Sequence, residues 1–244
     1  IQIWEDPNKF NPNSGNNWNV APACKNFSTF VSVDGFGEQA EYMRNGLCFK
    51  TLQNNVQRIL KETDNTTVTF INTFNLLSVT SLREFLQWIL ELREQYAKDK
   101  QGTKYIEIPD NGGHKHEPYA IVPKQRIWFD IPLLRAPYWQ NIEILPQYYQ
   151  SYLEEAIAFM EMNKANEEHI DYRGFKDFEI EKVKRNLEIM KGGDGLDRDK
   201  MYKARANFYK FFTQHDKRRD TDFLKTFPQM EDWWEICEEA NALL

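Results

Sequence analysis

Residues 27–44 read F-S-T-F-V-S-V-D-G-F-G-E-Q-A-E-Y-M-R, and this stretch decides the fold. Phe27, Phe30, Val31 and Val33 make a short run of β-branched and aromatic residues, closed by the turn chemistry of Asp34-Gly35 and Gly37. Such a run is a buried strand. Residues 38–44 favour helix and begin with an acid, which suits the positive end of a helix dipole. Ser32 and Asp34, two apart, share one face of the strand near its C-terminal end, where α/β proteins place ligand-binding groups. Arg44 returns over that end from the next helix, and a hydroxyl with a guanidinium fork makes a cage for a small carboxylate. The same side chains also read as strand-end caps and a surface ion pair.

Downstream the rhythm repeats. Phe49, Leu52, Val56, Ile59 and Leu60 fall on one face of an amphipathic helix, and residues 66–73 (T-T-V-T-F-I-N-T) are β-branched almost throughout, a second strand. Ser81 and Glu84 have capping-box spacing and predict the start of a helix whose stripe is Leu82, Phe85, Leu86, Ile89 and Tyr96. Residues 101–125 are polar and broken by Pro and Gly, an inserted loop with one short extended piece over 105–108. Residues 126–131 (R-I-W-F-D-I) are a third strand, and Pro146 predicts a helix start running to Asn163. Strand and helix in this alternation predict parallel strands joined by right-handed crossovers. Three regions result: a connector over 1–26, an α/β unit over 27–165, and an all-helical region over 166–244, with helices centred on Leu187, Phe208 and Trp233. In that region Asp197 is positioned to cap the second helix.

The 244 residues carry 31 Lys and Arg against 37 Asp and Glu, a net charge of −6, so no global basic field draws the chain to nucleic acid or to an anionic membrane. No apolar run reaches membrane-span length and no signal peptide opens the chain, which predicts a cytoplasmic protein. Cys24, Cys48 and Cys237 lie too far apart for a disulfide framework or a local metal knuckle.

The strand ending S-V-D-G with an arginine about a dozen residues on resembles the radical S-adenosylmethionine (radical SAM) enzymes. The resemblance extends over most of the chain from residue 27. Residues 68–86, V-T-F-I-N-T-F-N followed by a Leu- and Phe-rich helix, look like a second strand of that family. F-D-I-P-L-L-R-A-P-Y-W-Q-N-I-E-I-L-P (129–146) and D-K-R-R-D-T-D-F-L-K-T-F-P-Q-M (216–230) are similar to the third strand exit and the C-terminal close of its twitch-type and phage-type members. The resemblance implies the C-terminal half of a partial (β/α) barrel. It implies that Ser32 and Arg44, beside Asp34, hold the methionine carboxylate of S-adenosylmethionine, that Asn72 and Asn75 lie near the ribose, and that Leu133 packs on the adenine. The implied activity is reductive cleavage of the cofactor to a 5′-deoxyadenosyl radical that abstracts hydrogen from an unidentified substrate.

The departure is equally informative. The family holds a [4Fe-4S] cluster by C-x-x-x-C-x-x-C, and no such motif occurs here. The expectation is therefore the distal part of a longer enzyme, whose partners are an unidentified substrate and its cluster-bearing N-terminal half or a reductant, and which is inactive alone. The alternative is an α/β binding or scaffold protein without a cluster. A separate motif, Gly112-Gly113-His114-Lys115-His116-Glu117, has metal-ligand residue types in a polar loop, where a solvated turn is the commoner reading. His169 and His215 read as exposed helix positions, and the aromatic residues at 208–212 and 233–234 as core.

Overall fold

The structure, a computed structural model, describes residues 27–63, 66–96, 104–106, 119–121, 125–166, 173–192 and 197–244. The chain is mixed α/β and mostly helical, built on a small three-stranded parallel sheet. β1 (Phe27–Ser32) pairs with β2 (Thr66–Ile71), and β2 with β5 (Ile127–Asp130), both in parallel, in the order β1-β2-β5. Ser32 stands opposite Ile71, and Ile71 opposite Asp130. The parallel expectation holds for all three strands. The polar insertion contributes a separate antiparallel pair, β3 (Lys104–Ile106) with β4 (Tyr119–Ile121), of which only the first strand was legible. The His114–His116 motif and Cys24 lie outside the described residues.

Alternation along the strands divides the sheet into two unlike faces. Val33, Val68, Phe70, Ile127 and Phe129 are buried under the helices. These are α1 (Gly37–Met43), α2 (Phe49–Glu62) and α3 (Leu82–Tyr96). Phe70 meets Trp88 at 4.8 Å and Phe85 at 6.2 Å, and α2 buries all five residues of its stripe. A fully buried side chain of this size contributes about 1.5–3 kcal/mol, so these stripes, not helix propensity, hold α2 and α3 in place. Gly37 makes the strand-to-helix turn at φ +57°, a left-handed conformation that glycine adopts without steric cost.

The second face, carrying Phe30, Ser32, Thr69, Ile71, Thr73, Trp128 and Asp130, is partly open. Phe30 is 69% exposed in the middle of its strand. The two edges differ as well. At the β5 edge, Ile127 O accepts from Arg93 Nε (3.1 Å) and Gln125 Nε2 (3.0 Å). Arg93 also reaches Glu179 of α5 (Asp177–Lys191) in a fully buried pair at 2.6 Å. Phe178 and Lys182 of α5 then fold over β5, onto Trp128 and Asp130. β1 carries no further strand at its outer edge among the described residues.

α4 (Gln150–Met162) packs between α3 and α5. The remaining helices, α6 (Arg198–Arg219), α7 (Phe223–Thr226) and α8 (Glu231–Ala242), pack through Phe208, Phe223 and Trp233, all buried. The Asp197 side chain caps α6, accepting from Asp199 N at 3.0 Å. Two helix starts differ from expectation. A 3-10 turn over Leu76–Ser81 precedes α3, and Asn75 with Ser78 forms the capping box there. The Ser81 hydroxyl instead accepts from Phe36 N at 3.1 Å, joining this turn to the one after β1. After Pro146 a 3-10 turn, Gln147–Tyr149, comes before α4. No helix among the described residues is long and apolar enough to cross a membrane.

Candidate functional site

The C-terminal ends of β1 and β2 and the exit from β5 open into one cleft of about 370 Å³. From the sheet side it is lined by Asp34, Thr73, Asn75, Leu77 and Leu134, and from the helical side by Phe211, Phe212, His215 and Arg219 of α6. Met43, Asn45 and Gln140 complete the wall. Clefts of this size at the carboxyl ends of parallel strands are common ligand sites in α/β proteins.

On the floor, the Asp34 carboxylate organises the strand ends. Its Oδ1 accepts from Thr73 N at 3.0 Å, and its Oδ2 stands 2.7 Å from Arg44 Nε. Asp34 is mostly buried, and the Arg44 side chain is 36% exposed. Asn75 Oδ1 accepts from Leu77 N, and its Nδ2 donates to Thr73 O at 3.0 Å. The Asn75 amide thus fixes the turn while presenting itself to the cleft.

In the α6 wall, Arg219 donates to the carbonyls of Glu41 and Tyr42 at the end of α1, and to His215 Nε2 at 2.7 Å. Arginine has no acceptor, so His215 Nε2 must accept, which leaves the imidazole proton on Nδ1, 3.4 Å from Asp216 Oδ1. Burial, and then Arg219, push the His215 pKa below its usual range despite the pull of Asp216 the other way, so the ring is neutral. Asp216 accepts from the Tyr42 and Thr221 hydroxyls, both at 2.7 Å, and from Phe223 N at 2.8 Å. Burial and the Asp216 hydrogen bond push the Tyr42 pKa strongly up. This network clamps α6 to α1. With both nitrogens engaged and Tyr42 at 4.5 Å from its ring, His215 serves the cleft as a wall and not as a free base.

The six residues singled out from sequence are distributed as follows. Asp34 and Asn75 line the cleft, and Arg44 reaches it through Asp34. Ser32 is exposed on the open face one residue pair below, and Leu133 bridges to Phe74 beside the cleft residue Leu134. Asn72 does not join them. It shares the helix-facing side of β2 with Phe70 and is fully buried, with neither amide atom hydrogen-bonded. The structure also corrects the reading of His215 as exposed, since its side chain is 13% exposed within the cleft wall. Thr73, Phe211 and Arg219 were not singled out as site residues. The i, i+4, i+8 spacing of Phe211, His215 and Arg219 is the signal in the sequence that groups them on one helix face.

The two implied groups are not equally well served. For S-adenosylmethionine the cleft offers the Asp34 carboxylate, already paired with Arg44, and an apolar wall of Met43, Leu77, Leu134 and Phe212. The described residues offer no ligand set for a [4Fe-4S] cluster. Cys48 is exposed at the start of α2 and Cys237 is buried in α8, and no three metal-ligating side chains gather among the described residues. No family model, no curated protein and no solved structure matches this chain.

Proposed function

We propose that the chain is the cofactor-holding part of a radical SAM-type (β/α) barrel and that its cleft receives S-adenosylmethionine. The observation that carries this reading is the convergence of Asp34, Thr73, Asn75 and Leu134 from three adjacent parallel strands on one cleft, above a partly open sheet face. Parallel sheets are ordinarily covered on both faces. The open face with Phe30, and an outer edge of β1 that no strand joins among the described residues, support a further strand-bearing segment completing the barrel there. Bound in the cleft, the cofactor supplies a source of the 5′-deoxyadenosyl group. This chain's own contribution is to grip and orient it.

Asp34 has two roles in this reading. Its pair with Arg44 holds the guanidinium beside the strand ends, within reach of an incoming carboxylate, and its own negative charge favours a neighbouring cation. The Asn75 amide and the Thr73 hydroxyl supply neutral hydrogen-bonding groups beside it, and α6 roofs the cleft against water. Because the described residues do not hold the cluster, no redox step is assigned to them.

Anaerobic treatment of the isolated chain with iron and sulfide tests the reading. No stoichiometric [4Fe-4S] absorbance and no 5′-deoxyadenosine after dithionite is the expected result. Joining the chain to a cluster-bearing radical SAM N-terminal half is expected to yield both, and Arg44→Ala then weakens cofactor binding more than His114→Ala. A full cluster and cofactor cleavage on the isolated chain would overturn the division of labour proposed here.

A further inference from the structure

The chain's net charge of −6 conceals one strongly basic element. α6 carries eight basic and two acidic residues in 22 positions, and it is the helix that roofs the cleft. Its exposed cations include Lys200, Lys203, Lys210, Lys217 and Arg218, and none of these has an ion-pair partner among the described residues. Their arrangement is not uniform around the helix. At about 100° per residue, positions 200, 211 and 218 fall within about 20° of one line along α6, with Phe211 about 16 Å from the first and about 10 Å from the second.

Phe211 lines the cleft and is nonetheless 45% exposed, beside the Trp139 ring at 4.4 Å. Tyr138, next to Trp139, has the Lys200 ammonium 4.2 Å above its ring. Arg135, next in the chain to the cleft residue Leu134, is exposed and unpaired among the described residues. The side-chain amides of Asn45 and Gln140 line the same cleft without a hydrogen-bond partner among the described residues. The cleft mouth therefore combines an open aromatic surface with flanking cations and amides that have no ion-pair or hydrogen-bond partner among the described residues. Aromatic faces stack on bases, cations contact phosphates, and carboxamides read base edges.

We propose that the substrate brought to this cleft is a nucleotide, its base on Phe211 and Trp139 and its phosphate on Arg218 of α6, with Lys200, about 27 Å from Arg218 along the helix, placed for a further phosphate of a strand. The inference deepens the proposed function and rests on it for the cleft's being a working site, but it needs neither S-adenosylmethionine nor a cluster. Arg218 stands about 10 Å beyond Phe211 along α6, a gap that a long arginine side chain and a nucleotide span together. A free nucleotide and the end of a single strand share this chemistry.

Fluorescence anisotropy of a labelled single-stranded oligonucleotide, with unlabelled mononucleotide as competitor, tests the proposal on the whole chain without S-adenosylmethionine. Lys200→Glu and Arg218→Glu are each expected to weaken binding about tenfold at low salt and to flatten its salt dependence. Phe211→Ala is expected to weaken it about fivefold or more with the salt dependence unchanged. Lys210→Glu, about 100° away around the helix, leaves it within about twofold. Competition by the mononucleotide supports a free nucleotide as substrate, and its failure supports a strand end. No binding of either probe, or equal losses from Lys210→Glu and Arg218→Glu, overturns the proposal. Circular dichroism of each variant checks that the fold is kept. Failure here with S-adenosylmethionine still mapping to the cleft removes only the nucleotide, and failure of both removes the cleft as a site.

Discussion

The Arg93–Glu179 pair closes the β5 edge of the sheet and is the contact whose loss can be sized best. Both side chains are fully buried. Arg93 donates to Glu179 through Nη1 (3.1 Å) and Nη2 (2.6 Å), to Gly174 O and to Ile127 O, between the rings of Phe129 and Phe175. Glu179 also accepts from Lys176 N at the start of α5. Glu179→Ala leaves a guanidinium buried without its counter-charge, an effect of about 3–5 kcal/mol. In a chain of this size about 1 kcal/mol moves the melting temperature by about 2–4 °C, so the expected fall is about 6–20 °C. Removing both charges, in Arg93→Met with Glu179→Leu, takes away the stranded cation and keeps the volume. Gly174 O then loses its donor, whereas Ile127 O keeps Gln125. The double variant is expected within about 2 kcal/mol of the parent. Urea unfolding of the three proteins decides the matter. A single variant costing under about 1 kcal/mol, or a double variant as unstable as the single one, would refute the reasoning.

Three other outcomes follow from particular residues. His215 has a folded pKa below its unfolded value, so the unfolded chain takes up its proton first as pH falls; stability is expected to decline from about pH 6.5 downward, and His215→Gln to flatten that limb of a pH series of urea midpoints. Asn72 is buried with both amide atoms unpaired, so Asn72→Leu is expected to leave stability unchanged or raised, whereas a clear loss in the same unfolding assay would show a partner hidden from the geometry. Cys48 is exposed, with the Thr51 hydroxyl donating to its sulfur at 3.2 Å and its pKa lowered, whereas burial pushes the Cys237 thiol strongly up; mass spectrometry after brief native alkylation should find label on Cys48 and not on Cys237.

The strands and the helices beside them were legible because their determinants are local. Val31, Val33, Val68 and Phe70 alternate with polar partners, and α2 and α3 carry stripes that only a helix places on one face. That Asp34 and Asn75 line one cleft was legible because strand ends of this kind deliver side chains to one place. Asn72 was misplaced by one step of the same alternation: it follows Phe70 to the helix side, and Thr73 takes the cleft. The α6 wall was read as core because Phe208, Phe211 and Phe212 are alike in composition, and only the packing of α6 on α1 decides that Phe211 remains open. Ser81 has capping-box spacing to Glu84, yet its hydroxyl is taken by Phe36 N, a contact 45 residues away. Long-range competition of this kind leaves no mark in a local pattern.

The central claim is that the end of this parallel sheet is an S-adenosylmethionine site. Titration of the isotope-labelled chain with S-adenosylmethionine, followed amide by amide in two-dimensional NMR, tests it most directly. Without a cluster the grip consists of a few charge-assisted hydrogen bonds, each about 1.5–3 kcal/mol before ordering costs, so the dissociation constant is expected at about millimolar. The shifts are expected at Asp34, Arg44, Thr73, Asn75 and Leu134, and to vanish in Asp34→Asn. Shifts confined to other parts of the chain, or none at saturating concentration, would contradict the account.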